Sequence, residues 1–153
     1  MSATHFSPDL TQRPPRSPRV RLGGYVLLPR ILDKGRAALA AKLGEYHYAG
    51  KGMDRHFFNF VGLDHEALQA ELAKGGGDES LLAWISTHAA TPRQPWEIAA
   101  WSSYHESRTP DSDAETFSYF TGEAAKLSIT REDIRTWFDL LDLDDYCSFG
   151  GKA

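Results

Sequence analysis

The sequence predicts an all-α protein, a single compact domain of about six or seven short helices with an extended basic N-terminal arm packed on it. Apolar residues recur at three- and four-residue spacing along most of the chain, which is the periodicity of amphipathic helices. No segment alternates apolar and polar residues over a strand's length, and residues 20–28 come nearest, as one short edge strand. A length of 153 residues with 41% hydrophobic content suits one domain.

The N-terminal arm is predicted from its prolines and glycines. Residues 9–24 contain three prolines and end in a pair of glycines, which oppose both a helix and an interior strand. We therefore expect an extended segment here. The predicted organisation is an arm over residues 1–24 that is part of the domain, a helical domain over residues 25–146 and a polar tail over residues 147–153.

Charge is unevenly distributed along the chain. Residues 1–36 hold seven Arg or Lys and two Asp, whereas the remainder holds ten basic and nineteen acidic residues. A basic arm on an acidic body either reaches out to an anionic partner or folds back onto its own chain. We favour the second arrangement, in which arginines pair with body carboxylates while apolar residues around Tyr25 anchor the arm in the core. Nucleic acid is the less favoured partner, because the acidic body would repel a phosphate polymer.

The first two helices are predicted from periodicity and aromatic content. Pro29 is suited to the first turn of a helix, and Leu39 continues its apolar face toward a stop at Gly44. Residues 53–61 are strongly aromatic and predict a short buried helix.

Capping residues predict the next three helices. Asp64 precedes a helical run that ends at the glycine triplet 75–77, and Asp78 precedes another that reaches Ala89. Both Asp residues are predicted N-caps. Pro95 lies where a first helical turn would begin and starts a fifth helix.

The last two helices follow a break at residues 109–110. Asp111, Asp113 and Glu115 cluster there, and carboxylates are favoured at the start of a helix by its dipole. Thr130 with Asp133 three residues later has the spacing of a capping box and predicts the start of the final helix. The polar, glycine-bearing stretch 144–153 is expected to be irregular.

Three sequence motifs resemble a bacterial domain family of unknown function. They are LPRILDKGRAALA at 28–40, GEYHY at 44–48 and TWFDLLDLDD at 136–145, within a similarity that spans residues 9–145. The resemblance implies a small, mainly helical, intracellular bacterial domain and implies no reaction. The chain departs from the family pattern at residues 49–52.

The densest polar group lies in and just after the first helix. The three-residue spacing predicts that Asp33 pairs with Arg30, which leaves Lys34 and Arg36 to find other acids or an anionic ligand. Structural ion pairs with the acidic body explain the same residues, and we favour that interpretation over a cationic pocket. The candidate ligand-binding residues are Arg30, Asp33, Lys34, Tyr46, His47 and Tyr48.

Familiar catalytic and metal-binding motifs are missing from the sequence. No two of the six histidines are four residues apart, and the acidic clusters do not fit the spacing of a calcium loop. The glycine triplet lacks the lysine and hydroxyl of a phosphate loop, and no G-x-S-x-G surrounds Ser102 or Ser103. Cys147, the single cysteine, precludes an internal disulfide and gives no sign of a nucleophile. We expect no metal and no cofactor.

Two functions from different classes remain. The first is a cytoplasmic, non-catalytic binding module for a protein or a small anionic ligand, with no membrane partner because no apolar run approaches the ~20 residues of a span. The alternative is a small-molecule enzyme with Tyr46, His47 and Tyr48 as acid/base groups and Arg30 and Lys34 as an anion clamp. An enzyme needs these groups to converge on one cavity. A homo-oligomer is left open.

Overall fold

Seven α-helices make up the described part of the protein, which is a computed structural model covering residues 7–50, 52–110 and 114–153. The predicted all-α class is confirmed, and the only β-type pairing in these ranges is an isolated bridge between Leu22 and Tyr25. None of these helices combines the length and apolar character needed to cross a bilayer. The helices are α1 (Leu28–Leu39), α2 (Asp54–Val61), α3 (His65–Leu72), α4 (Asp78–His88), α5 (Pro95–Ser107), α6 (Ala114–Leu127) and α7 (Trp137–Ser148).

Helix α1 lies at the centre of the fold. Ten of its twelve residues are buried, so it has almost no solvent-facing side and its charged residues must find partners on other elements. Pro29 occupies the first turn, as predicted. The helix ends at Leu39, short of Gly44. Gly44 instead has a φ of 59°, and a Cβ there would lie 2.9 Å from the carbonyl oxygen of Leu10, so this glycine allows the arm to approach closely.

The core forms around Tyr25 and α1, where α2, α3, α4 and α7 contribute buried apolar residues. Phe57 of α2 is fully buried and meets the edge of the Tyr25 ring at 5.3 Å between centroids. Such an edge-to-face pair adds about 0.5–1.5 kcal/mol to the free energy gained by burial. Other buried core residues are Leu32, Leu68, Leu72, Leu81, Ile85 and Phe138.

Of the two predicted N-cap residues, Asp64 caps its helix and Asp78 does not. Asp64 caps α3, since its side chain accepts a hydrogen bond from the backbone N–H of Glu66, and that prediction is confirmed. Asp78 is the first residue of α4 and makes no side-chain cap. Its carboxylate instead accepts hydrogen bonds from Arg16 and Arg36, so long-range ion pairing replaces the predicted local cap.

The C-terminal part differs most from expectation. Helix α5 begins at Pro95, as predicted. Of the predicted acidic cluster, Asp111 and Asp113 lie outside the described residues, and Glu115 lies in the first turn of α6. The capping box of α7 is formed by Thr136 and Asp139, so the prediction of a box at Thr130 and Asp133 is wrong. Helix α7 runs to Ser148, and the stretch after Asp144 is therefore helical for several residues where an irregular tail was predicted.

The N-terminal arm is packed on the body from residue 7 onward, as predicted. Its arginines pair with carboxylates of four other elements. Arg16 donates from its backbone N–H and its guanidinium to Asp33, and reaches Asp78 at 2.7 Å. The next two arginines hold the arm to α7 and α5: Arg19 pairs with Asp139 and Asp142, and Arg21 pairs with Glu106.

We expect Arg16→Met to lower the free energy of unfolding by about 2 kcal/mol, because it strips charged hydrogen bonds from the buried Asp33. Arg21→Met removes a single pair, with Glu106, in which both side chains are about one-third exposed, and should cost under ~1 kcal/mol. Urea unfolding of both variants measures the two losses. Equal losses would show that the hydrogen bonds from Arg16 to the buried Asp33 stabilise the protein no more than the exposed Arg21–Glu106 pair does.

Candidate functional site

Arg30, Tyr46 and Asp145 form a buried polar cluster between α1 and α7. Arg30 donates to the two carboxylate oxygens of Asp145 at 2.7 and 3.1 Å, and the Tyr46 hydroxyl donates to the same carboxylate at 2.7 Å. Burial and this hydrogen bond raise the pKa of Tyr46. The predicted pairing of Arg30 with Asp33 is wrong, because Asp33 is occupied by Arg16 instead.

Lys34 lies one helical turn after Arg30 and pairs with Asp54, the first residue of α2. The ammonium nitrogen and the carboxylate oxygen are 2.6 Å apart, and both side chains are buried. Burial lowers the pKa of Lys34, while the attraction of Asp54 opposes that shift. The same Asp54 oxygen accepts from the backbone N–H of Ala49, so the pair also fixes the loop before α2.

The remaining predicted residues lie elsewhere. The Tyr48 hydroxyl donates to the backbone carbonyl of His65 at 2.7 Å, whereas His47 is exposed. The structure therefore brings Arg30 together with Tyr46, but does not bring all six candidates to one cavity. Whether any of them contacts a ligand stays a prediction.

The buried pairs of α1 nevertheless position a cavity that sequence analysis missed. Arg30 holds Asp145 of α7 and Lys34 holds Asp54 of α2, and the adjacent residues Asp144 and Met53 both line this cavity. It has a volume of about 600 Å³, within the range of about 300–1,000 Å³ typical of small-molecule sites. We call it the α2–α7 cavity; it is bounded by the start of α2, the end of α5, one side of α6 and α7.

Arg108 is central to the α2–α7 cavity. Its guanidinium lies 3.4 Å from Nε2 of His56 and 5.8 Å from the centre of the Trp137 ring. The Trp137 backbone N–H donates to the Arg108 carbonyl at 3.1 Å, which fixes the start of α7 against the end of α5. The guanidinium donates to His56, so Nε2 of His56 is the acceptor and this imidazole is neutral.

A second imidazole lies behind the first. The ring of His105 is 4.9 Å from that of His56 and only 4% of the residue is exposed. Burial lowers the pKa of His105 to about 4, with His56 and Arg108 adding to the shift. Burial also lowers the pKa of His56, as do the positive charges of Arg108 and Arg55. Both imidazoles are therefore neutral at pH 7.

Positive charge in the α2–α7 cavity comes from arginine and lysine. Arg55 is exposed at its edge and Arg108 lies deeper. Lys126 also lines the cavity and pairs with Glu123 at 2.7 Å, so part of its charge is already offset. Asp144 adds a second carboxylate to the lining, so the described residues give three positive side chains and two negative ones, an excess of one positive charge that favours an anion over a cation.

Two buried nitrogen atoms are left without hydrogen-bond partners among the described residues. They are Nδ1 of His105 and Nε1 of Trp137. Buried polar atoms of this kind are rare and call for an explanation. Trp137 lines the cavity, but its indole nitrogen is enclosed by protein atoms and has no accessible surface there.

Two other cavities fit a ligand less well. One of about 440 Å³ lies between the arm and α4, but its Arg16 and Arg36 are already paired with Asp33 and Asp78. The other, of about 640 Å³, lies along the outer side of α6 and is bordered by the largely exposed Phe117. Neither of these two cavities is lined by a histidine whose pKa is shifted or by a residue with a buried nitrogen that lacks a partner.

Sequence reasoning missed the histidine pair because its two members lie on different helices, 49 residues apart. One signal was present: His105 follows Trp101 on the apolar side of the predicted fifth helix. A polar residue at an apolar position is often functional, but the sequence does not show which other residue it meets.

The geometry places this protein in a general class, that of helical domains with a positively charged cavity lined by aromatic residues. The chain belongs to the family described as Domain of unknown function (DUF5069), whose model matches residues 12–147. A comparison with curated proteins finds no match. The motif stretches at 28–40 and 136–145 supply Arg30, Lys34, Trp137 and Asp145, so they build both the buried ion pairs and one wall of the cavity.

Proposed function

We propose that the protein is a non-catalytic binding module for a small anionic ligand, which it binds in the α2–α7 cavity. The observation that carries this proposal is the meeting of Arg108 with the Trp137 ring and the His56 imidazole, in a cavity of about 600 Å³. A ligand site of this type combines an apolar lining with a few polar groups that fix orientation.

The ligand chemistry follows from the groups that line the cavity. Arg55 and Arg108 present planar guanidinium groups that match the oxygens of a carboxylate, phosphate or sulfonate. Trp137, Leu140 and Leu141 offer apolar surface beside them. The ligand that fits best is an anion with an attached apolar or aromatic part.

We also propose that the protein works in the cytoplasm of a bacterium. Its motifs resemble a bacterial family, and a lone Cys147 places no demand on an oxidising compartment. Fractionation of the native organism with an antibody against the chain would test the compartment.

Benzenesulfonate is expected to bind and to stabilise the protein against heat. Benzenesulfonamide keeps the ring but lacks the charge, and methanesulfonate keeps the charge but lacks the ring, so both should bind at least tenfold more weakly. At one hundred times its dissociation constant, benzenesulfonate should add ~2.7 kcal/mol to the free energy of unfolding. Thermal-shift assays and calorimetric titration measure these differences. No binding of any of the three would contradict the proposed function.

Arg55→Ala should weaken benzenesulfonate binding about tenfold, which corresponds to ~1.4 kcal/mol. Arg135→Ala changes the net charge equally, but Arg135 lines the cavity on the outer side of α6 instead. Calorimetric titration of both variants separates a local contact from a general effect of charge. An equal loss in the two variants would place the anion outside the α2–α7 cavity.

One observation favours the alternative function, a small-molecule enzyme. His56 is a neutral imidazole beside Arg108, a pairing that places a base next to an anion-binding group. The acid/base groups would then be His56 and His105 instead of Tyr46, His47 and Tyr48. A screen of nitrophenyl esters and phosphates, with His56→Gln as the control, would detect such an activity.

Protein and nucleic-acid partners have less support. Three arginines of the arm, Arg16, Arg19 and Arg21, are engaged by carboxylates of the same chain, which leaves their charges partly neutralised. A gel-shift assay with labelled DNA and RNA at low salt tests nucleic-acid binding, since phosphate contacts weaken steeply as salt rises.

A further inference from the structure

We propose that the α2–α7 cavity binds its anion together with a proton, which His56 takes up, so that the affinity for the anion rises as the pH falls. This inference rests on the proposed function, because it concerns the regulation of the same site. It requires three properties of the cavity: an imidazole beside the anion-binding groups, no carboxylate already paired with that imidazole, and a second imidazole that does not compete for the proton.

The first property is the position of His56. Its Nε2 lies 3.4 Å from the Arg108 guanidinium, and the centre of its ring lies 4.9 Å from that of His105, with the two rings tilted by 35°. Arg55 precedes it on the same helix. An anion held by Arg55 and Arg108 would therefore lie next to His56.

The second property is the set of charged and titratable groups around His56. Among the described residues its one hydrogen bond is with Arg108, and no carboxylate accepts from its ring. Helix α6 faces the cavity with Glu123, which is engaged by Lys126. The groups that line the cavity or contact His56 are Arg55, His105, Arg108, Tyr119, Glu123, Lys126 and Asp144.

The third property separates the two imidazoles. His105 is almost completely buried, and burial lowers its pKa to about 4. It stays neutral between pH 5.5 and pH 8. His56 is only partly buried and is thus the imidazole that a ligand can reach and that can gain a proton near neutral pH.

The direction of the effect follows from electrostatics. Without an anion, a protonated His56 would face Arg55 and Arg108, and burial would disfavour it further, so its pKa lies below the ordinary 6.5. A bound anion adds negative charge beside the imidazole and attracts the imidazolium, which raises that pKa in the complex. Because binding and protonation are reciprocal, affinity increases as pH falls between the two pKa values, by at most about tenfold per pH unit for one proton.

Benzenesulfonate is a suitable probe because a sulfonate stays ionised throughout this pH range, so any proton taken up belongs to the protein. Affinity is measured by calorimetric titration from pH 8 to pH 5.5, in Tris at the alkaline end and Bis-Tris at the acidic end. These amine buffers are neutral or cationic, and the chloride concentration is the same throughout. Proton uptake is measured on mixing in unbuffered solution. We expect the affinity to rise about three- to tenfold between pH 8 and pH 6, with uptake of up to one proton.

Variants assign the proton to one residue. His56→Gln keeps an acceptor for Arg108 but cannot be protonated, and should remove both the pH dependence and the proton uptake. Asp144→Asn removes the other group of the cavity whose pKa is shifted toward neutrality, by partial burial and by the nearby Asp145, and proton uptake should persist in it. The imidazole NMR signals of His56 should report a higher pKa in the complex than in the free protein.

The outcomes are distinct. If benzenesulfonate binds at no pH, the proposed function fails and the proton linkage fails with it. If it binds equally at all pH values with no proton uptake, the cavity stands and the linkage alone is overturned. Proton uptake that persists in His56→Gln, or an NMR pKa of His56 that the ligand leaves unchanged, would also overturn it.

Discussion

Replacing Asp145 by asparagine is expected to destabilise the folded protein by about 3–5 kcal/mol. Asp145 is buried, accepts two hydrogen bonds from Arg30 and one from Tyr46, and belongs to the last turns of α7. Asparagine keeps the shape but removes the charge, and it leaves the Arg30 guanidinium buried without a counter-ion. Breaking a buried ion pair from one side has this cost because the remaining charge is uncompensated. Urea unfolding at pH 7 measures the loss.

The matched control is Asp142→Asn, one turn earlier on the same helix. Asp142 pairs with Arg19 at 3.0 Å, but both side chains are more than one-third exposed, so this substitution should cost no more than ~1 kcal/mol. If the two variants lose the same stability, the buried Arg30–Asp145 pair contributes no more to the free energy of unfolding than the exposed Arg19–Asp142 pair.

A double variant separates lost charge from lost structure. Arg30→Met with Asp145→Leu removes both charges and fills similar space, and should recover most of the stability lost in Asp145→Asn. Because Asp144 and Leu141 line the cavity beside Asp145, benzenesulfonate binding reports whether α7 has kept its position. A double variant as unstable as the single one would mean that Tyr46 or the helix end, and not the buried charge, dominates.

Local signals were enough for most of the helices. Pro29 and Pro95 each lie in the first turn of a helix, and Asp64 caps α3, because these preferences arise from backbone geometry within a few residues. The position of α7 was harder. Thr130 with Asp133 and Thr136 with Asp139 share one spacing, and tertiary contacts favour the second: Phe138 packs in the core and the Trp137 N–H donates to the Arg108 carbonyl.

The sequence predicts correctly that the charged residues of α1 form structural ion pairs, but it predicts the wrong partner for Arg30. The spacing of Arg30 and Asp33 suits a pair on an exposed helix, but α1 is buried on nearly all sides. Each charged residue there faces a different neighbouring element. Arg30 meets a carboxylate 115 residues away and Asp33 meets the arm, and such long-range partners cannot be read from spacing along the chain.

The cavity lay beyond sequence reasoning for the same physical reason. His56 belongs to α2 and His105 to α5, so their ring contact depends on how these two helices pack together. His105 also contacts the ring of Trp101 on its own helix. The GEYHY motif supplies three of the predicted ligand-binding residues. In the structure the Tyr46 hydroxyl donates to Asp145 and the Tyr48 hydroxyl donates to the His65 carbonyl.

Acidification from pH 7 to pH 5 is expected to destabilise the protein through His105 by about 2 kcal/mol. Burial holds the folded-state pKa of His105 at about 4, below the ordinary value of 6.5 expected in the unfolded chain. The unfolded state therefore binds the proton first. The contribution of His105 is fully present above pH 6.5 and is lost as the pH falls toward 4. Urea unfolding at the two pH values measures the difference.

The variant that tests this is His105→Phe, which keeps an aromatic ring in contact with Trp101 and Tyr104 and cannot be protonated. Its stability should fall about 2 kcal/mol less than that of the wild type between the two pH values. His47→Gln removes an exposed imidazole and should follow the wild type. The phenylalanine variant also leaves no buried Nδ1 without a partner, so it should be at least as stable as the wild type at pH 5. If it loses as much stability on acidification as the wild type, the acid sensitivity belongs to other groups.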